Sequence, residues 1–204
     1  MNVHMLRAMT FAVLVSTPLS TALAVGPILN KAAPEFTGTD FDGQTRSLAE
    51  FKGKYVVLEW LNHGCPFVKK HYDSGNMQKL QATYTGKGVV WLSIITSAPG
   101  KQGNVDGPGA KAQAQEKKAN PTTVILDTDG VIGSLYLAKT TPHMFVINPE
   151  GLLIYKGAID SVRSTDPGDI EGATNYVAKA LDSAMAGQPV ETPKTQPYGC
   201  SVKY

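Results

Sequence analysis

The stretch "YVVLEWLNHGCPFVKKHY", residues 55–72, joins two patterns of different period and places a cysteine where they meet. Residues 55–61 are β-branched, aromatic and apolar, which predicts a central strand buried on both faces. The residues from Pro66 onward predict a helix, because proline is favoured in a first turn, where its missing N–H costs nothing. Cys65 therefore lies between a buried strand and the beginning of a helix.

This position favours a reactive thiolate. Unpaired backbone N–H groups and the positive end of the helix dipole stabilise negative charge at a helix N-terminus. Lys69, Lys70 and His71 add positive charge one to two turns further on, unless the lysines simply form the solvated face of the helix. His63 is placed to contact the sulfur or to transfer a proton. The alternative is a buried, inert cysteine that packs under the first helical turn.

The second cysteine of the chain is Cys200, and the position where a disulfide reductase would keep its partner, Val68, has no thiol. About 12 proline-rich residues separate Gly187 from Cys200, and such a tail reaches on the order of 37 Å. A domain of this size has a radius of gyration of about 16 Å, so the tail is long enough to return to Cys65. Three arrangements remain open: a redox-active pair, a permanent structural disulfide, and thiols that pair between molecules or not at all.

The rest of the chain predicts an α/β fold in one domain, residues 25–187, followed by an extended tail, 188–204. Strands and helices alternate, which argues for a mostly parallel central sheet. The terminal hairpin adds antiparallel strands at one side, so the sheet is expected to be mixed and flanked by helices, with a short hairpin at the N-terminus of the domain. The predicted elements are a hairpin within 32–54, strands at 89–96 and 122–127, a hairpin at 144–159 and a final helix within 173–187.

Residues 1–24 are predicted to be a signal peptide rather than part of the fold. An apolar stretch of the right length follows a short basic start, and Ala22-Leu23-Ala24 supplies a small-x-small cleavage pattern before Val25. An uncleaved anchor helix is the alternative, but the apolar run is shorter than the roughly 20 residues that span a bilayer. The mature protein is expected to be periplasmic or secreted, without a membrane span.

Composition offers no case for a nucleic-acid partner or a cofactor. The chain has 19 lysine and arginine residues against 17 acidic ones, and this near balance gives no basic surface for phosphates. His63, His71 and His143 with Cys65 offer imidazole and sulfur to copper or zinc. Their spacing matches no zinc pattern, so neither a metal nor another cofactor is expected.

Two motifs together resemble a known family. "FKGKYVVLEWLNHGCPF" is similar to the redoxin pattern of the thioredoxin superfamily, and "TTPHMFVINPEGLLIYKG" to its later signature. The pairing of "CPFV" with the tail "YGCSVKY" resembles the peroxiredoxin-like proteins of the alkyl hydroperoxide reductase/thiol-specific antioxidant type. This resemblance covers residues 30–204. It implies a thioredoxin-like fold, a cis peptide bond at Thr141–Pro142 facing Cys65, and a family role for Cys200.

The sequence departs from that family at the groups that activate peroxide. Typical peroxiredoxins carry Thr three residues and Pro seven residues before the reactive cysteine, where this chain has Asn62 and Leu58. Their catalytic Arg would align with Pro142. Asn62 can donate one hydrogen bond in place of the Thr, but slow peroxide chemistry is expected.

The hypothesis is an exported thiol-dependent oxidoreductase, a peroxiredoxin-like antioxidant whose substrate is a hydroperoxide or a protein or small-molecule disulfide. An external thiol would reduce it again. The alternatives are a thiol-disulfide exchange protein, and a metal-binding or non-catalytic module on the same scaffold. The predicted catalytic residues are Cys65 and Cys200, and the predicted site-shaping residues are Asn62, His63, Pro66, Thr141 and Pro142.

Overall fold

The computed structural model describes residues 26–204 of the chain. The predicted signal peptide, residues 1–24, and its cleavage before Val25 lie outside the described residues. Within the described part, no helix is long and apolar enough to cross a membrane.

A seven-stranded mixed sheet forms the centre of the domain, in the order β2-β1-β5-β4-β3-β7-β8. Its strands are β1 (Thr37–Asp40), β2 (Thr45–Ser47), β3 (Val56–Trp60), β4 (Val90–Ile95), β5 (Thr123–Leu126), β7 (His143–Ile147) and β8 (Leu153–Gly157). Two further strands, β6 (Thr140–Thr141) and β9 (Cys200–Ser201), pair with each other in a separate small sheet. The α-helices are α1 (Pro66–Asp73), α2 (Asn76–Thr85), α3 (Gly107–Glu116), α4 (Val131–Tyr136) and α5 (Tyr176–Met185).

The predicted mixed sheet is confirmed, but its parallel part is smaller than the alternation of strands and helices suggests. Only β3, β4 and β5 run parallel to one another. The four other pairings in this sheet are antiparallel, because the N-terminal hairpin joins one edge through β5 and the later hairpin joins the other through β3. Short 3-10 turns, Leu48–Phe51 and Pro167–Ile170, complete the fold.

Strand β3 is buried along its whole length, and its alternating side chains enter two different cores. Val56, Leu58 and Trp60 pack into the core on one face of the sheet. Val57 packs into the core on the other face, together with Cys65. A strand covered on both faces has no solvated side, which explains its nearly continuous apolar sequence. The strand therefore delivers Cys65 to a dry environment at its carboxyl end.

The helix that follows Cys65 is interrupted after eight residues. Helix α1 ends at Asp73, and α2 begins at Asn76 after Gly75, which has a φ of +78°. Glycine adopts this left-handed conformation without the steric cost that a side chain would add. The break leaves α1 as a short helix whose N-terminus is aimed at the site.

The tail after α5 lies on the domain instead of extending away from it. Thr195 pairs with β8 through its N–H to the Lys156 carbonyl, and its Oγ1 accepts from the Ala158 N–H at 2.8 Å. Beyond Cys200, the Val202 N–H donates to the Lys139 carbonyl at 3.1 Å. The sequence did not predict β6 and β9, because each strand has two residues and forms only by pairing with the other.

Candidate functional site

Cys65 occupies the N-cap of α1, as its sequence context predicts. Its backbone is extended, with φ −80° and ψ 125°, and Pro66 is the first helical residue. The Cys65 carbonyl accepts from the N–H groups of Val68 and Lys69 at 3.0 and 2.9 Å, which begins the helix. The side chain is 0% exposed. A thiol at this position faces the unpaired donors of the first helical turn, where a thiolate is stabilised.

The tail brings Cys200 into direct contact with Cys65. The two Sγ atoms lie 2.7 Å apart, and both cysteines are free thiols in this structure. Strand β9 places Cys200 opposite Thr141 in an antiparallel pair with β6. The Thr141–Pro142 peptide bond is cis, as the resemblance implies, and the Thr141 carbonyl lies 3.0 Å from Cys65 Sγ. The structure thus brings together both predicted catalytic cysteines with Thr141 and Pro142.

The two thiols differ in acidity. Burial raises the pKa of Cys65, but hydrogen bonds, chiefly those from Cys200, more than offset this effect, so its pKa lies below the ordinary value. Burial and the hydrogen bond to Cys65 raise the pKa of Cys200 to about 11. On ionisation, Cys65 is therefore the thiolate and Cys200 is the S–H donor. Cys65 is thus the more acidic of the two thiols.

This asymmetry predicts a pH dependence. Loss of the Cys200 donor should raise the pKa of Cys65, because a hydrogen bond to the thiolate favours the charged form. We expect Cys200→Ala to move the midpoint of thiolate formation to higher pH, and Cys200→Ser, which keeps an O–H donor, to move it less. Ultraviolet thiolate absorbance of the reduced proteins measures this midpoint without requiring access to the sulfur. An unchanged midpoint in Cys200→Ala would contradict the assignment.

Asn62 shapes the turn before Cys65 by holding a loop over it. Its Nδ2 donates to the Gln102 carbonyl at 3.1 Å, and its Oδ1 accepts from the Gly64 N–H at 2.9 Å. A Cβ on Gly64 would lie 2.9 Å from the Gln102 side chain, so the loop touches this turn closely. Gln102 belongs to the Gly/Pro-rich segment 97–110, whose sequence predicts a flexible surface loop or a lid beside the site. No single residue there marks the contact with Asn62.

The three histidines among residues 26–204 are uncharged at neutral pH. Burial, helped by Lys117, lowers the pKa of His63 to about 4, and its ring packs edge-on against Tyr72 with centroids 4.8 Å apart. Burial lowers the pKa of His143 to about 3, with Lys139 next in size. His143 is buried, and its ring lies 4.4 Å from that of Phe145 at the wall of a pocket between the β7–β8 hairpin and the tail.

His71 is neutral as well. Burial, partly opposed by Asp160, lowers its pKa to about 4. The predicted positive charge of His71 near Cys65 is therefore absent at neutral pH. Among residues 26–204, no three His, Cys, Asp or Glu side chains are grouped so that they could hold a metal ion.

A buried carboxyl lies behind the site on the face of β3 that also carries Val57. Glu59 is 0% exposed and accepts hydrogen bonds from four side chains, those of Tyr72, Gln81, Trp91 and Ser93. Burial raises the pKa of Glu59, and these donors counteract only part of the effect. The network joins β3, β4, α1 and α2 in one polar cluster. A single acid in an otherwise apolar strand is the sequence signal that could have revealed it.

The structure rules out the solvated helix face that the sequence offered as an alternative for Lys70. Lys70 is not on the solvated face of α1 but 0% exposed, and its Nζ donates to Asp160 at 3.3 Å and to the Val162 carbonyl at 2.9 Å. Tyr198 donates from its hydroxyl to the other carboxylate oxygen of Asp160. Neither Asp160 nor Tyr198 was predicted to be near the site. The position of Tyr198 two residues before Cys200 was the only hint.

Comparisons with known proteins agree with this geometry. The chain is similar to an uncharacterized conserved protein of Geobacillus kaustophilus, with 26% identity and a TM-score of 0.76 over 87% of this chain and 92% of that one. It is also similar to a thiol:disulfide interchange protein from Bacteroides sp., with 25% identity and a TM-score of 0.51 over 66% and 82% of the two chains. The thioredoxin domain of a thiol-disulfide oxidoreductase from Bacteroides vulgatus shares the fold, with 24% identity and a TM-score of 0.52 over 71% and 96%.

Curated proteins give no significant match to the chain. A family model described as the AhpC/TSA family matches residues 29–156, which include β3, Cys65 and the hairpin after Pro142. This span exceeds half of the chain and carries the first of the two predicted cysteines. With its thioredoxin-like fold, the chain belongs to the AhpC/TSA family of peroxiredoxin-like redoxins and is a thiol-dependent oxidoreductase.

Proposed function

We propose that this protein is an exported two-cysteine reductase of hydroperoxides in which Cys65 attacks and Cys200 resolves. The observation that carries the proposal is the 2.7 Å separation of the two Sγ atoms, with the more acidic thiol at the N-cap of α1. Export rests on the signal-like residues 1–24, which lie outside the described part of the chain. In an oxidising compartment, a pair of this kind is reduced only by a dedicated donor.

The proposed cycle has three balanced steps. The Cys65 thiolate attacks one oxygen of a hydroperoxide, the O–O bond breaks, and sulfenic acid and an alcohol or water are formed after proton uptake. The Cys200 thiol then attacks the sulfenic sulfur, which forms the disulfide and releases water. Two equivalents of an external thiol reduce this disulfide and leave as their own disulfide. Cys65 is fully buried with the tail in place, so the substrate must enter while Cys200 is displaced.

A second candidate is thiol-disulfide exchange, and the surroundings of Asn62 favour it. The amide that would replace the peroxide-binding Thr of typical family members already donates to Gln102. Leu58 is buried in the core on the opposite face of β3, and the position of the family's Arg is Pro142. Exchange needs a thiolate and a leaving sulfur but no group that polarises an O–O bond. In that cycle, Cys200 would release a mixed disulfide from Cys65.

Intact-mass measurement after rapid mixing tests both candidates. Fully reduced residues 25–204 receive one equivalent of hydrogen peroxide, or in parallel one equivalent of oxidised glutathione. We expect peroxide to remove two hydrogens from the protein faster than it oxidises a free thiol. The Cys200→Ser variant should accumulate sulfenic or higher acids at Cys65 in the same time.

The parallel experiment separates the candidates. A peroxide reaction no faster than that of a free thiol would overturn the hydroperoxide proposal. Rapid formation of the internal disulfide from glutathione disulfide, with a trapped glutathione adduct in Cys200→Ser, would then establish exchange. If neither oxidant produces a Cys65–Cys200 disulfide, both candidates fail.

A further inference from the structure

Three buried polar residues from distant parts of the chain meet beside the two cysteines. Lys70 comes from α1, Asp160 from the segment after β8, and Tyr198 from the tail. Lys70 Nζ lies 3.3 Å from one Asp160 carboxylate oxygen, and the Tyr198 hydroxyl donates to the other. Lys70 and Asp160 have side chains 0% and 3% exposed. We call these three residues the tail latch.

Because Lys70 and Asp160 are buried, their hydrogen bonding depends on the docked tail. A charge removed from water is tolerated only when it is paired and hydrogen-bonded, so Lys70 and Asp160 depend on each other. The Val162 N–H also donates to Asp160, at 3.0 Å. The remaining donor, the Tyr198 hydroxyl, is the contribution of the tail. Hydrogen bonds to charged acceptors are stronger than neutral ones, so this contact is worth more than the others that the tail makes to backbone carbonyls.

The tail latch joins the chain segment that carries Cys65 to the one that carries Cys200. Tyr198 lies two residues before Cys200, and its ring packs against that of Phe67, two residues after Cys65, with centroids 5.8 Å apart. Lys70 Nζ lies 6.0 Å from the centre of the same tyrosine ring. Helix α1 therefore carries both Cys65 and two of the contacts that position Cys200. Any opening that exposes Cys65 must first separate Tyr198 from this surface.

We propose that Tyr198, Asp160 and Lys70 are positioning residues that set the effective concentration of Cys200 at Cys65. The inference rests on the proposed two-cysteine function and extends it to regulation of access. A closed tail latch holds the two sulfurs in contact. This raises the effective concentration of Cys200 at Cys65 and so favours the disulfide. The same latch keeps substrate and reductant away from Cys65 until the tail opens. The reduction potential and the accessibility of Cys65 are thus linked through one hydroxyl group.

The Tyr198→Phe variant tests the latch, because it removes the hydroxyl and keeps the ring. In a glutathione buffer, the reduced protein and glutathione disulfide exchange for the protein disulfide and two molecules of glutathione. Because the tail is already docked in the reduced protein, only the part of the Tyr198 contact that the disulfide strengthens shifts this equilibrium. We expect Tyr198→Phe to lower the equilibrium constant by less than about tenfold, which is less than about 30 mV for a two-electron couple. The matched control is Tyr84→Phe, which loses a partly buried hydroxyl hydrogen bond to the Ala178 carbonyl between α2 and α5. The control should keep the wild-type potential.

Alkylation of Cys65 gives a second readout. In a Cys200→Ser background, Cys65 is the one thiol, and iodoacetamide reaches it only when the tail opens. We expect the added Tyr198→Phe change to speed this alkylation about tenfold, and Tyr84→Phe to leave it unchanged. Thermal unfolding of each variant shows whether the domain itself has been destabilised, which a merely structural role of Tyr198 would require.

The outcomes distinguish the latch from the function on which it rests. If Tyr198→Phe matches the wild type in both potential and alkylation, the latch is overturned even though the disulfide forms. If Tyr84→Phe shifts both quantities as much as Tyr198→Phe, the effect is general destabilisation and the latch is again overturned. If the wild-type protein forms no Cys65–Cys200 disulfide in any glutathione buffer, the two-cysteine function itself fails. None of these measurements requires turnover of a substrate.

Discussion

Replacement of Cys65 by serine should lower thiol-dependent turnover by at least about 1,000-fold. A serine hydroxyl does not ionise near neutral pH and cannot form a sulfenic acid or a disulfide, so no later step can proceed. The change is nearly isosteric, and the Oγ can still donate to the Thr141 carbonyl that now accepts from Cys65. The fold should therefore survive. Steady-state consumption of peroxide, or of a disulfide, with an external thiol measures the loss.

The control for this prediction is Cys200→Ser, which keeps the first chemical step. It should consume about one equivalent of oxidant in a burst, because Cys65 can still attack, and then slow down for want of a resolving thiol. Cys65→Ser should show no burst. A Cys65→Ser protein that keeps more than about one tenth of the wild-type rate would show that the chemistry does not depend on this thiol.

The Gly199→Ala substitution should have the largest effect of any change in the tail that leaves both cysteines in place. Gly199 has a φ of +138°, and a Cβ added there would lie 2.0 Å from the Thr141 carbonyl oxygen. Backbone strain of this kind alone costs on the order of 1–3 kcal/mol, and the clash with a backbone atom adds to it. We expect the pairing of β6 and β9 to open and the equilibrium constant for the Cys65–Cys200 disulfide to fall by more than about tenfold.

Gly187→Ala is the matched control, because it introduces backbone strain of the same kind without a steric clash. Gly187 also has a left-handed φ, +71°, but a Cβ there meets nothing within 4 Å. It lies just after α5, before the tail reaches the site. We expect Gly187→Ala to lower the melting temperature without changing the glutathione equilibrium. Equal disulfide equilibria in the wild type and Gly199→Ala would refute the close approach of the tail to Thr141.

Sequence patterns predicted the features of the fold that depend on residues close together in the chain. The apolar run of β3 and Pro66 after Cys65 specify a buried strand followed by a helix, and the structure has both. Gly187 predicted the end of α5, which the structure places at Met185. Each of these features depends on residues within a few positions of one another. The assignment of reactivity to Cys65 followed in the same way from its place at a helix start.

Contacts between distant segments could not be predicted from the same patterns. The sequence leaves Lys70 with two interpretations, a positive charge near Cys65 or part of the solvated face of α1, since a lysine on a helix is ordinarily solvated. Its partner Asp160 is 90 positions away, and no feature near either residue announces the pair. The tail is long enough for Cys200 to reach Cys65, but it is also long enough for Cys200 to lie at many other positions. The antiparallel pairing of Thr141 with Cys200 decided among them, and such register is a property of the folded chain.

The tail also has a consequence for the order of folding. Cys65 and Cys200 are 135 positions apart, so their contact is among the most non-local in the chain. Synthesis at roughly 5–20 residues per second separates the appearance of the two cysteines by roughly 7 to 27 seconds. Contacts between such distant segments also pay their loop-closure entropy late in folding. A newly made molecule therefore exposes Cys65 before Cys200 can cover it, and the Cys65 thiolate can then attack a small disulfide, form a mixed disulfide and release one thiol.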